Sequence, residues 1–222
     1  MSSVEKKQYM YQRKVIGYLV LLLSPLSVLF GLIGHFNGFN PDGWWWSISD
    51  TYYANSQMIM ASIISIAAFF FCTYGGYDWR DRVVNLISGI GLFGLLIFPC
   101  SQKQIGFEGN LTGLFGLPGN ISTYIHSAFA LLAFAGFFVN EMFIFTLGNG
   151  EITAEKRKRN IIYRCCASSV LVAGVLLLLG GVVPGFDKFL PNYVWVAEFI
   201  SLTPCGVAWL VKGEALKIFN DK

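Results

Sequence analysis

The chain has 222 residues, of which 55% are hydrophobic, 16% aromatic and only 13% charged, and its net charge is +3. A soluble core cannot enclose that much apolar surface, and the apolar stretches are too long for one, so an integral membrane protein is expected and no nucleic-acid role is assigned. The gaps between stretches fall short of the roughly 40 residues that an unaided soluble fold needs, so residues 1–222 read as a single transmembrane domain.

Six apolar runs are predicted to cross the bilayer, at residues 15–34, 57–74, 83–98, 123–148, 161–183 and 194–211. A hydrocarbon core of about 30 Å needs roughly 20 helical residues, a length that the second, third and sixth runs just reach. Lys6, Lys7, Arg13 and Lys14 precede the first run, and Arg80 and Arg82 separate the second from the third. Lys156, Arg157, Lys158, Arg159 and Arg164 lie between or just inside the fourth and fifth, and Lys212, Lys217 and Lys222 follow the sixth. The intervening gaps hold only Lys103 and Lys188. The excess of cations in every second gap gives one orientation: an all-α, polytopic six-transmembrane-helix bundle with its N and C termini in the cytoplasm.

Along the first run, Pro25 predicts a kink, as Pro204 does in the sixth. Gly31, Gly34, Ser88, Gly91, Gly94, Ser169 and Ala173 mark faces where helices can approach closely. Trp44, Trp45 and Trp46 read as an interfacial aromatic belt before the second run. The five cysteines, Cys72, Cys100, Cys165, Cys166 and Cys205, lie in or beside the runs without metal-ligand spacing, and no metal is expected. No cofactor is assigned.

An ionisable group inside a span costs several kcal/mol and is a functional candidate. His126 lies near the outer end of the fourth run and Glu141 about 22 Å further along the same side, too far to share a site. Ala130, Ala133, Phe137 and Asn140 fill the stripe between them, which should face the bundle interior. Glu141 is expected to form a structural ion pair with Arg82 or Arg164, the cations nearest in depth. At the outer face, Ser49 or Asp50 is placed to cap the second helix, with Tyr53 just beyond, while His35 ends the first run and Glu198 opens the sixth. Asp50 and His126 are the catalytic candidates, a carboxylate orienting an imidazole for acid–base work. Ser49, Asp50, Tyr53, His126, Glu198 and His35 are the candidate ligand-binding set.

Ile48-Ser49-Asp50-Thr51 ahead of a span, Ser88-Gly89-Ile90-Gly91-Leu92-Phe93-Gly94 leading to Phe98-Pro99, and Tyr124-Ile125-His126-Ser127-Ala128-Phe129 opening the fourth run resemble the pattern of a six-span family. It includes the damage-regulated autophagy modulators (DRAM), a eukaryotic factor remodelling GPI-anchor lipids, and uncharacterised bacterial members. After Thr51 the chain departs from the eukaryotic pattern, and Trp209-Leu210-Val211-Lys212-Gly213-Glu214 is more similar to the bacterial members. The resemblance implies functional positions at Ser49, Asp50 and His126 and a multi-pass location in a bacterial inner membrane.

The reading that follows is an outward-facing polar cavity that binds a lipid headgroup or small ligand and serves a lipid-modifying activity. Its alternatives are an oligomeric channel or membrane-disrupting effector, built from further copies of the chain, and a small transporter. Whether any reaction is catalysed is left open. Two histidines cannot supply a three-histidine zinc site, and the two halves of the chain show no internal repeat of the transporter kind. The expected partners are membrane lipids.

Overall fold

The computed structural model describes residues 3–38, 45–76, 78–101, 111–148 and 152–219. The expectations for Trp44, Lys103 and Lys222 lie outside the described residues, as does the side chain of Lys217.

Among the described residues the chain is all-α apart from one small hairpin. Six long helices carry it: α1 (Ser3–Phe36), α2 (Gln57–Thr73), α3 (Trp79–Ile97), α4 (Gly119–Val139), α5 (Ala154–Val182) and α7 (Tyr193–Lys212), with the four-residue α6 (Phe186–Phe189) between the last two. Among the described residues, four segments are long and apolar enough to cross a membrane: Glu5–Phe36, Gly119–Ile144, Ala154–Val182 and Tyr193–Lys212. The remaining two are α2, apolar throughout but only 17 residues long, and α3, which opens on Arg80, Asp81 and Arg82. The sequence does not foretell the hairpin, in which β1 (Leu111–Thr112) pairs antiparallel with β2 (Leu117–Pro118). Its turn is made by Gly113 and Gly116 at φ of +70° and +56°, a backbone region that glycine enters without strain.

The helices close into a ring in which α1 packs on α2 and α7, α3 on α2 and α4, and α5 on α4 and α7. Small residues set the seams. A Cβ added to Gly91 of α3 would come within 2.7 Å of the Ala133 backbone on α4, and one on Gly206 of α7 within 2.7 Å of the Leu21 backbone on α1. Such approach lets dispersion and close packing hold helices together where lipid removes the hydrophobic incentive. The core of the ring gathers on Trp209, fully buried and in edge contact with Phe71, Tyr74 and Phe145 at ring distances of 5.2, 5.6 and 4.9 Å.

Outside the ring the surface stays apolar. Phe69, Leu131, Leu171, Val175 and Leu178 are all more than half exposed, an apolar outer surface compatible with a membrane environment. Of the four membrane-length segments, α5 is the most outward, with 22% of its apolar window buried, and α7 the most central, with 50%.

The last turn of the fourth long helix is not α-helical. Asn140–Ile144 forms a π turn, closed by the Phe145 N–H donating to the Asn140 carbonyl at 2.7 Å. The extra residue turns Asn140, Glu141, Ile144 and Phe145 all inward. Upstream, the stripe expected to face the interior does so: His126, Ala133, Phe137 and Asn140 are buried, and Ala130 is half-buried.

Candidate functional site

The chain reaches the site through a short 3₁₀ turn, Ser49–Tyr53, that precedes α2. The Asp50 N–H donates to Ser47 Oγ at 2.9 Å and Thr51 Oγ1 donates to the Ile48 carbonyl at 2.6 Å, so local hydrogen bonds wind the turn. This corrects the expected cap: α2 starts at Ser56 with no side-chain cap bond, because the 3₁₀ turn already occupies the approach to the helix. The same turn aims the Ser49 hydroxyl between α4 and α7.

There it meets two groups. Ser49 Oγ lies 3.1 Å from His126 Nε2 and 3.1 Å from Glu198 Oε1, while the Ile48 N–H donates to Glu198 Oε2. The other ring nitrogen, His126 Nδ1, is 2.8 Å from the carbonyl oxygen of Phe98 at the end of α3. A carbonyl only accepts, so Nδ1 carries a proton. Ser49 has one proton for two neighbours. Both of its bonds therefore form only when Glu198 and His126 share one further proton, as a carboxylic acid beside a neutral imidazole or as a carboxylate beside an imidazolium. Both arrangements leave the pair without net charge, which suits a buried site. The serine hydroxyl is the path between them.

Asp50 stands one residue away with a different set of contacts. It is 7% exposed, and the Cys100 thiol approaches its Oδ1 at 3.7 Å. Burial first, and then the Asp50 charge, pushes the Cys100 thiol well above its ordinary range, so it stays protonated and can donate. Both ring nitrogens of His126 are taken by Ser49 and Phe98, so the expected Asp50–His126 pair is replaced by Ser49–His126. The half-buried Tyr53 hydroxyl donates to the Cys100 carbonyl at 2.8 Å, and burial, followed by nearby Cys100, raises its pKa. Tyr53 thus closes the rim of the same cluster. His35 does not join it: this residue is exposed in the last turn of α1, with its ring 5.9 Å from that of Phe36. Trp46 packs edge-on against Tyr193 at the start of α7, and Trp45 is exposed.

The expected Glu141 ion pair is not formed. Glu141 is fully buried, whereas Arg82 and Arg164 are both exposed on the outside of the ring. The π turn directs the carboxyl group to the thiols of Cys205 and Cys166 instead, and neither oxygen has a hydrogen bond of ordinary geometry. Its neighbour is better served. Asn140 and Asn85 exchange amide hydrogen bonds at 3.2 and 3.4 Å, and Asn85 also donates to the Asp81 carboxylate at 2.7 Å. This polar link between α3 and the π turn was not anticipated from the sequence, although Asp81, Asn85 and Ser88 lie at the spacing of one helix face.

Among the described residues, no group of three His, Cys, Asp or Glu side chains converges as a metal site. The chain matches no family model, no curated protein and no solved structure.

Proposed function

We propose that the chain is a multi-pass membrane protein of six spans with both termini in the cytoplasm, and that Ser49, His126 and Glu198 form an outer-leaflet site for a lipid headgroup in which Ser49 is a nucleophile. The carrying observation is the 3.1 Å contact of Ser49 Oγ with His126 Nε2 while Nδ1 is fixed on the Phe98 carbonyl. A serine hydroxyl beside an imidazole whose tautomer is held by a third group is the arrangement that activates an alcohol.

On a lipid ester, Ser49 Oγ bonds to the acyl carbon and its proton moves to His126 Nε2. The ester C–O bond breaks and the departing alcohol takes that proton. Water then cleaves the acyl-serine, with His126 taking its proton and returning it to Ser49 Oγ. Glu198 positions the hydroxyl between turns over, and Asp50, Cys100 and Tyr53 border the headgroup space.

The orientation is supported by the cation pattern, because Arg80, Lys156 and Lys212 lie at one end of the ring and His126 and Glu198 near the other. Cysteines introduced at the exposed positions Leu114 and Phe189, in a chain lacking Cys165, should react with an impermeant thiol reagent from outside the cell. A cysteine at exposed Ile152 should react only after permeabilisation. Outside reaction at Ile152 would reverse the topology. For the chemistry, a fluorophosphonate probe should label the purified protein at Ser49, and Ser49→Ala should abolish labelling. Absence of labelling in the wild-type chain in lipid would refute the nucleophile.

A further inference from the structure

The opposite end of the ring holds a cavity of about 730 Å³ that plays no part in the Ser49 site. It runs from exposed Arg80 and Glu214 inward to buried Arg13, Tyr163 and Val211. Five cations line it: Arg13, Arg80, Lys156, Arg159 and Lys212. Three carboxylates, Asp78, Asp81 and Glu214, line it too. By formal charge, five cations against three carboxylates leave a surplus of two.

The cations are gathered rather than spread. Lys156 Nζ and Lys212 Nζ both donate to one oxygen, the Phe145 carbonyl, at 3.0 and 3.1 Å. The two ammoniums are therefore no more than about 6 Å apart, close enough for one multivalent anion to bridge, and Asp81 lies near Lys212 on the same lining. Lys156 also donates to the Leu147 carbonyl at 3.0 Å, and Arg159 to the Phe219 carbonyl at 2.6 Å. Arg13 Nε donates to the Tyr74 hydroxyl at 2.7 Å. Carbonyl and hydroxyl oxygens thus hold these cations from behind and fix their heads around one space. Exposed lysines that merely attract a lipid surface need no such scaffold, and Arg157 and Lys158, which lie between Lys156 and Arg159 on the same helix, have none of it and are exposed.

We propose that this cavity binds a phosphorylated anion, a phosphate monoester or diphosphate whose oxygens bridge Lys156, Arg159 and Lys212. The group is carried on a lipid headgroup at this leaflet or on a soluble molecule. The site is independent of Ser49, so either proposal can fail without the other.

The test uses the full chain in detergent and in nanodiscs, read by thermal unfolding. Inorganic pyrophosphate is the soluble probe, and nanodiscs of phosphatidylcholine with or without phosphatidylinositol 4-phosphate are the lipid probe. Stabilisation by pyrophosphate in detergent identifies a soluble anion, and stabilisation only by the phosphorylated lipid identifies a headgroup. The double variant Lys156→Gln, Arg159→Gln should weaken the effective probe at least about tenfold, because each cation beside an anionic headgroup contributes about that order together. Arg157→Gln, Lys158→Gln removes the same charge from outside the cavity and should leave the affinity unchanged. Stabilisation by neither probe, or equal losses in the two double variants, would overturn the proposal. Should the first double variant fail to fold, Arg80→Gln at the exposed rim serves in its place, with a smaller loss expected and no loss counting against the site.

Discussion

The two ends of the ring solve the same problem in opposite ways. At the histidine end, Ser49, His126 and Glu198 satisfy one another, and the helices that begin there lack side-chain caps: α2 at Ser56, α4 at Pro118 and α7 at Asn192. At the basic end, α3 and α5 start on side-chain caps, Asp78 accepting from the Asp81 N–H and Thr153 from the Lys156 N–H, both at 3.0 Å, and the cations surround an open space. One end turns its polar groups on each other, and the other turns them on backbone termini and gathers cations around a cavity. The first suits bond making at a half-buried hydroxyl, and the second suits capture of an anion.

The largest effect is expected at the histidine end. Glu198→Ala removes the partner of both the Ile48 N–H and Ser49 Oγ. It should destabilise the chain by about 2 to 3 kcal/mol, since buried groups left unmade carry their full desolvation cost. Glu198→Gln should differ sharply from it. Its amide can donate to Ser49 Oγ as a protonated carboxyl does, holding the Ser49 proton on His126, so thermal unfolding should stay within about 1 kcal/mol of wild type. Equal loss in both variants would mean that the ionised carboxylate is required and that the two ends differ less than drawn here.

At the basic end the caps can be removed one at a time. Thr153→Ala should cost about 1 kcal/mol and expose the first turn of α5 to hydrogen exchange, the usual consequence of losing a cap. Asn192→Gly at the other end should cost almost nothing, because Asn192 makes no cap bond and its φ of +60° is one that glycine adopts freely. A loss at Asn192 matching that at Thr153 would erase the contrast between the ends.

Much of the helical architecture was legible because long apolar helices advertise themselves by length and apolarity, and seams by small residues such as Gly91 and Gly94. The interior stripe of α4 followed from a 3.6-residue period alone. The site was half legible. Ser49, His126 and Glu198 stand out as polar residues at the same depth, but their hydrogen bonds depend on a 3₁₀ turn and on the Phe98 carbonyl, and backbone groups leave no mark in a sequence. The same holds for the basic cavity. Arg13, Lys156 and Lys212 read as topogenic charges until the Phe145 carbonyl is seen to gather two of them.

Glu141 shows most clearly what a period cannot reveal, and its expected effect is small. Residue depth pointed to a pair with Arg82 or Arg164, and breaking such a pair would cost about 3 to 5 kcal/mol. The π turn inserts one residue into the helix, and Glu141 faces Cys205 and Cys166 while both arginines face outward. Glu141→Gln therefore breaks no ion pair and keeps the side chain's shape, so unfolding should shift by less than about 1 kcal/mol, with the exchange of one unmade polar group for another nearly cancelling. Fluorophosphonate labelling at Ser49 should be unchanged in this variant, because Glu141 lies nearer the opposite end of the ring. A loss of several kcal/mol would instead show that Glu141 holds a cation in the membrane, and it would tie the middle of the ring to the charge-gathering end.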